Sequence, residues 1–188
     1  MMALQDQFRQ DLWQYQFHSL EPNEEGRIST ENFLCTNLVN LKGHQVEKFR
    51  RQIKKVCAEF DKNDPGVTQN EFLAWQYFFE DIDVIKRELA KLKFLDYSSY
   101  LDVVEKFFIH HPYCVSNKVQ INERLAKVVF NFMDTDESGE LEPEEVHIFN
   151  RNMMGQSQEA QAKQEFEVWF NKKKAAALGW ISEVTGFI

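Results

Sequence analysis

The chain has 188 residues, 43% of them hydrophobic and 14% aromatic, with few glycines or prolines, a composition that builds a packed core and excludes a disordered chain. Its net charge of −8 excludes nucleic acid as a general partner, because a phosphate backbone rewards the opposite sign, and favours a cation instead. Three cysteines, Cys35, Cys57 and Cys114, form an odd and sparse set without paired metal-ligand spacing, which argues against a disulfide framework or a zinc site and for mostly buried thiols.

No apolar run has the length needed to span a bilayer. The opening MMALQDQFRQDLWQ carries Asp6 and Asp11 and has neither a continuous apolar segment nor an Arg-rich, acid-poor character, so it reads as neither a signal nor a transit peptide. From this the expectation is a cytosolic protein or a mature or truncated piece.

In residues 8–20, Phe8, Leu12, Trp13, Phe17 and Leu20 recur at helical spacing and predict an amphipathic helix. It leads into the polar turn EPNEEGRISTEN, in which Gly26 and Ile28 hold the sixth and eighth places of a twelve-residue loop with Glu21, Asn23, Glu25 and Asn32 at the first, third, fifth and twelfth. Asn32 has no charged carboxylate to offer at the twelfth place, so this turn reads as a degenerate cation loop. A second helix over about 44–60 presents Val46, Phe49, Ile53, Val56, Cys57 and Phe60 as an apolar stripe. Lys48, Arg50, Arg51, Lys54 and Lys55 on its other side read as a solvated face or a surface for an acidic partner.

The next turn, DKNDPGVTQNEF, sets Gly66 against Val67 with Glu71 four residues on, one residue short of a full loop and interrupted by Pro65, which makes metal binding there doubtful. Residues 72–94 carry Phe72, Trp75, Phe78, Phe79, Ile82, Ile85, Leu89 and Leu92 without Gly or Pro and predict one long helix, or two joined near Asp81 and Asp83. In LDYSSYLDVVEKF the apolar position is read as Leu101, with Glu105 four residues later and neither a glycine nor acidic ligands. His110 and His111 precede a proline without a third ligand nearby and are not expected to bind metal.

Leu125, Val128, Val129 and Phe132 form the stripe entering the most informative stretch, DTDESGELEPEE, and Val146, Phe149 and Met153 the stripe leaving it. Oxygen-bearing groups fall at the intervals of an EF-hand loop: Asp134, Asp136 and Ser138 at the first, third and fifth places, the Glu140 carbonyl at the seventh, Glu142 at the ninth and Glu145 at the twelfth, where it can chelate through both oxygens. Gly139 permits the sharp turn at the sixth place, and Leu141 is the apolar eighth. The alternative is an acidic solvated loop between helices. Ca2+ is the cofactor this pattern implies, and the fold class it implies is all-α, with paired helix-loop-helix units in which three hands are degenerate and one complete.

The apolar loop positions Ile28, Val67, Leu101 and Leu141 recur at roughly one helix-loop-helix interval, and EF-hands pair through short strands at this position. The first hand is therefore expected to pair with the second and the third with the fourth. That gives an EF-hand-like lobe over 1–80, a second lobe over 81–155 and a helical tail over 156–188.

The stretches EGRISTENF, RQIKKVCAEF, GVTQNEF, WQYFFEDIDVIKREL and NKVQINERLAKVVFNFMDTDESGELEPEEV, in this order and spacing, resemble the C-terminal half of the mitochondrial calcium uptake family, over about residues 14–154. The resemblance implies an EF-hand regulator of the mitochondrial calcium uniporter in the intermembrane space, peripheral to the inner membrane, restraining the channel at low calcium and releasing it when calcium binds. Implied partners are the uniporter channel complex and related EF-hand subunits in a homo- or hetero-oligomer. Family members carry an N-terminal half with another complete hand and a targeting segment, and many carry a Cys in the C-terminal helix. Against that pattern the expectation is a truncated chain, and because the residues after Met154 include no Cys a disulfide-linked dimer is not expected.

In the tail, Phe166, Trp169, Phe170, Ala177, Ile181 and Val184 lie near one helical face beside Lys172, Lys173 and Lys174, which reads as a helix packed on the C-terminal lobe or as a partner-helix or membrane-surface contact. There is no phosphate-cradling glycine loop, nucleophile motif or His-Glu metal helix, so an enzyme is not expected. The reading from a different class is a soluble calcium buffer or an EF-hand regulatory subunit of a cytosolic enzyme.

Overall fold

The computed structural model describes residues 2–38, 43–60 and 64–146. The chain divides into two units, Met1–Met153 and Met154–Ile188, and the second lies outside the described residues, as do Phe149, Met153 and the predicted tail helix.

The described residues are mostly helical. In chain order they form α1 (Met2–Ser19), β1 (Arg27–Ile28), α2 (Thr30–Cys35) continued by a 3-10 turn (Thr36–Leu38), α3 (Gly43–Phe60), β2 (Val67–Thr68), α4 (Gln69–Glu80), α5 (Asp83–Leu92), β3 (Leu95–Asp96), α6 (Tyr97–His110), α7 (Pro112–Ser116), α8 (Glu123–Met133) and β4 (Glu140–Leu141). None of these helices is long and apolar enough to cross a membrane. The predicted run over 72–94 is two helices, with Asp81 ending α4 and Asp83 opening α5.

The two-residue strands pair antiparallel. Ile28 stands opposite Val67, and Leu95 opposite Leu141. The second register corrects the sequence reading, because Leu101 lies inside α6 and the third strand position is Leu95. The physical reason is a helix cap: Asp96 accepts the Ser99 N–H at 2.9 Å, so the helix starts at Tyr97, and the Leu101–Glu105 pair that imitates a loop ending is already one turn into it.

Buried apolar residues form one continuous cluster from Phe17 to Val146. Its centre is aromatic: Trp75 contacts Phe78 and Phe108 with ring centroids 5.2 and 5.6 Å apart, and Tyr100 contacts Phe130 at 5.3 Å. Each such pair adds about 0.5–1.5 kcal/mol beyond area burial. The stripe of α3 is seated as its spacing predicts, with Phe49, Ile53 and Val56 buried and Phe49 edge-on to Phe132 of α8 at 5.4 Å.

Polar groups fix the second turn to its neighbours. Asp64 accepts from the Thr30 N–H at 2.9 Å, the Thr30 hydroxyl at 2.7 Å, the Gly66 N–H at 2.9 Å and the Arg124 guanidinium at 2.9 Å. Gly66 has φ +70°, and a Cβ there would come 2.7 Å from the Ile28 carbonyl oxygen, so only glycine permits β1 to approach. Glu71, which stands four residues after Val67 as Glu145 stands after Leu141, closes a capping box with Thr68 and accepts from Asn122 Nδ2 at 2.9 Å.

Burial alone would raise the Asp64 carboxyl, but the Thr30 and Gly66 donors and the Arg124 charge outweigh it and hold the group below the usual aspartate range. Its stabilising effect is therefore present above the pKa of an unfolded-chain aspartate and is lost as pH falls through the lower folded value. Asp64→Ala should destabilise the protein by about 2–4 kcal/mol at neutral pH, because it strands two N–H groups and leaves Arg124 without a counter-charge. Denaturant titrations from neutral pH down to below about pH 4 should show that difference shrinking with acidity.

Candidate metal centre

The site grows out of the end of α8. Asp134 takes the helix C-cap position, its N–H still bonded to the Phe130 carbonyl at 2.9 Å, and the chain then turns through Glu137 at φ 63° and Gly139 at φ 80° into β4. Leu141, buried and opposite Leu95, anchors the far side of the turn, and a new helical segment over 143–146 carries Glu145 back to the start.

One carboxylate oxygen each from Asp134, Asp136 and Glu145 lies within 4.8 Å of the others, and this group can hold a metal ion. Among the described residues it is the one such cluster of three or more acidic, His or Cys ligands. Asp134 and Glu145 are buried, at 6% and 7% exposure, while Asp136 is exposed. An all-oxygen set of hard carboxylates suits a hard divalent cation.

The other three sequence candidates are tied to this triad through the backbone N–H groups of Ser138 and Glu142, or to one another. Ser138 Oγ donates to the Glu140 carbonyl at 3.0 Å, bringing the fifth-place hydroxyl and the seventh-place carbonyl together. The Glu142 N–H donates to Glu145 Oε2 at 3.3 Å, and the Glu142 side chain is exposed.

Backbone donors shape the acids. Asp134 accepts the Ser138 N–H at 3.1 Å and the Gly139 N–H at 3.0 Å, and Asp136 also accepts the Ser138 N–H at 3.0 Å. Glu145 Oε1 accepts the Thr135 N–H at 2.5 Å and the Thr135 hydroxyl at 2.9 Å. Burial raises the Asp134 carboxyl and the Glu145 carboxyl above their ordinary ranges despite these donors, and Asp136 adds repulsion to both. The Ser138 N–H and hydroxyl hold Asp136 below its ordinary range.

Three residues of α3, absent from the sequence reading of the site, touch the loop. Gln52 Nε2 donates to the carbonyls of Asn131 and Asp134, Lys48 Nζ donates to the Thr135 hydroxyl, and Lys55 pairs with Glu137. Only a fold that crosses α3 over the fourth turn reveals these contacts, since the residues are about 80 positions apart.

The first turn is arranged differently. Asn23 Oδ1 accepts the N–H groups of Glu25 and Arg27, both at 3.0 Å, and Asn32 Nδ2 donates outward to the Leu20 carbonyl at 3.3 Å. Asp61 of the second turn lies outside the described residues. His110 contacts the Lys106 carbonyl, and the ring of His111 stacks on Phe107 at 4.7 Å and meets Tyr77 at 4.6 Å. Burial lowers the His111 pKa. Burial raises the Cys35 thiol and pushes the Cys114 thiol up to about 11, so neither is primed as a nucleophile at neutral pH. No protein-family model matches the chain.

A carboxylate with a raised folded pKa contributes stability below the unfolded value that is lost as pH rises through the folded one, so the metal-free loop is under electrostatic stress at neutral pH. In chelator, the Tm of Glu145→Gln relative to the parent should rise between about pH 4 and neutral pH, because the glutamine does not titrate; scanning calorimetry across that range checks this.

Proposed function

We propose that this chain is a calcium-sensing regulatory subunit that controls the mitochondrial calcium uniporter through a calcium-dependent conformational change and altered partner contacts. The observation that carries the calcium part is the convergence of Asp134, Asp136 and Glu145 oxygens within 4.8 Å around a glycine turn whose apolar residue pairs with a second turn. This is the arrangement expected of an EF-hand pair, with Ser138, the Glu140 carbonyl and Glu142 completing the ligands around Ca2+. The channel part rests on the ordered resemblance of residues 14–154 to the mitochondrial calcium uptake family, and with it the intermembrane-space location and the oligomer of related subunits.

Seven of the twelve loop residues are Asp or Glu, so a divalent ion relieves their mutual repulsion and the desolvation stress on Asp134 and Glu145 together. An ion present at one hundred times its dissociation constant stabilises the form that binds it by about 2.7 kcal/mol, enough to bias a two-state helix pair. A calcium store would keep several working loops. Among the described residues one turn gathers a cluster of acidic ligands, which favours a sensor over a buffer.

Isothermal calorimetry should show calcium binding near one equivalent, with the heat abolished by Glu145→Lys, and Tm should rise by about 5–10 °C at saturating calcium. Retained binding in Glu145→Lys would remove the loop assignment. Size-exclusion chromatography with light scattering, in calcium and in chelator, should show a change in mass or elution with the ion. Co-purification with the uniporter channel complex tests the partner, and a chain that neither associates with the complex nor alters its calcium uptake would exclude the channel role.

A further inference from the structure

Positions 48, 52 and 55 of α3 lie at helical spacing on one face, and all three touch the fourth turn. Gln52 Nε2 reaches the Asn131 carbonyl at 2.7 Å and the Asp134 carbonyl at 2.9 Å, the point where α8 becomes the loop. Lys48 Nζ lies 3.0 Å from the hydroxyl of Thr135, the same hydroxyl that donates to Glu145. Lys55 pairs with Glu137 at the top of the turn. Below them the Phe49–Phe132 contact fastens α3 to α8, so the helix and the loop entrance form one packed body.

We propose that this face of α3 sets the cation affinity of the loop: Lys48 and Lys55 place positive charge beside the acidic turn and weaken calcium binding, while Gln52 holds the entrance carbonyls in place. The proposal rests on the calcium reading above and names a control on that same site. An ammonium beside an acidic loop stabilises it when empty and is repelled when a divalent ion enters, so lysine and ion compete for one negative field. By linkage, whatever the lysines take from calcium affinity, calcium takes from the hold of α3 on the loop. The lysine contacts are well placed for tuning rather than scaffolding, because the Lys55 and Glu137 side chains are 59% and 53% exposed and such pairs add little to stability.

The test is calorimetry with calcium chloride on the full chain and on Lys48→Gln/Lys55→Gln, at low ionic strength and at about 0.5 M salt, where charges separated by more than a few ångströms are screened. The double variant should bind calcium about three- to tenfold more tightly at low salt, with the gap closing at high salt, and should melt within about 2 °C of the parent in chelator. Lys48→Arg/Lys55→Arg, which keeps the charge, should retain parental affinity, and Lys55→Gln alone should give a smaller change of the same sign. Affinity unchanged within twofold in the double variant, or a gap that persists at high salt, would overturn the proposal while leaving the calcium site standing. A parent chain that binds no calcium would overturn the site reading and this proposal together.

Discussion

Tight turns leave backbone N–H groups pointing inward with no helical or strand partner, and each must find an acceptor. In three of this protein's turns a short side chain accepts two such groups: Asn23 from Glu25 and Arg27, Asp64 from Thr30 and Gly66, and Asp134 from Ser138 and Gly139, with Glu145 accepting from Thr135 and Glu142 in the fourth turn as well. The shape of the turns follows from this shared solution, and their chemistry follows from what is left over. In the first, the acceptor is a neutral amide. In the second, the carboxylate is neutralised by Arg124, and in the fourth, the acids converge on one another with no basic side chain among their hydrogen-bond partners in the described residues.

The strand pairings make these turns interdependent. Ile28 and Val67 are both buried, as are Leu95 and Leu141, so each two-residue strand contributes an apolar plug to the aromatic core as well as ladder hydrogen bonds. A two-stranded ribbon this short has no stability of its own in water. It persists because the helices on either side bury Phe33, Phe72, Phe130 and Phe132, and those helices in turn start and stop at the turns.

Much of this was legible in the sequence, for reasons that differ by element. The stripe of α8 follows the helical period and is buried throughout, that of α3 is buried at Phe49, Ile53 and Val56 and half-buried at Val46, Cys57 and Phe60, and the acids of the fourth turn carry a spacing that few loops share. The third turn was misread because an apolar residue followed four places later by Glu is a weak pattern that a helix interior can imitate. The informative signal was Asp96 three residues before Ser99, an N-cap that places the strand at Leu95. Gln52 gave no signal, and Lys48 and Lys55 read only as a solvated face or a surface for an acidic partner, since a polar helix face gives no clue in the sequence to which turn it meets.

Arg124 has a consequence of its own. Asp64 draws its counter-charge from a guanidinium that is covalently part of the chain and stays protonated across the whole range in which proteins fold. The counter-charge of Asp64 is thus internal: it has no concentration and cannot be chelated. Among the described residues, no lysine, arginine or histidine is hydrogen-bonded to the three converging acids of the fourth turn. Since α8 runs from Glu123 to Met133 with Asp134 at its C-cap, a single helix joins Arg124, which neutralises Asp64 of the second turn, to a turn whose neighbouring lysines, Lys48 and Lys55, touch Thr135 and Glu137 rather than the converging acids.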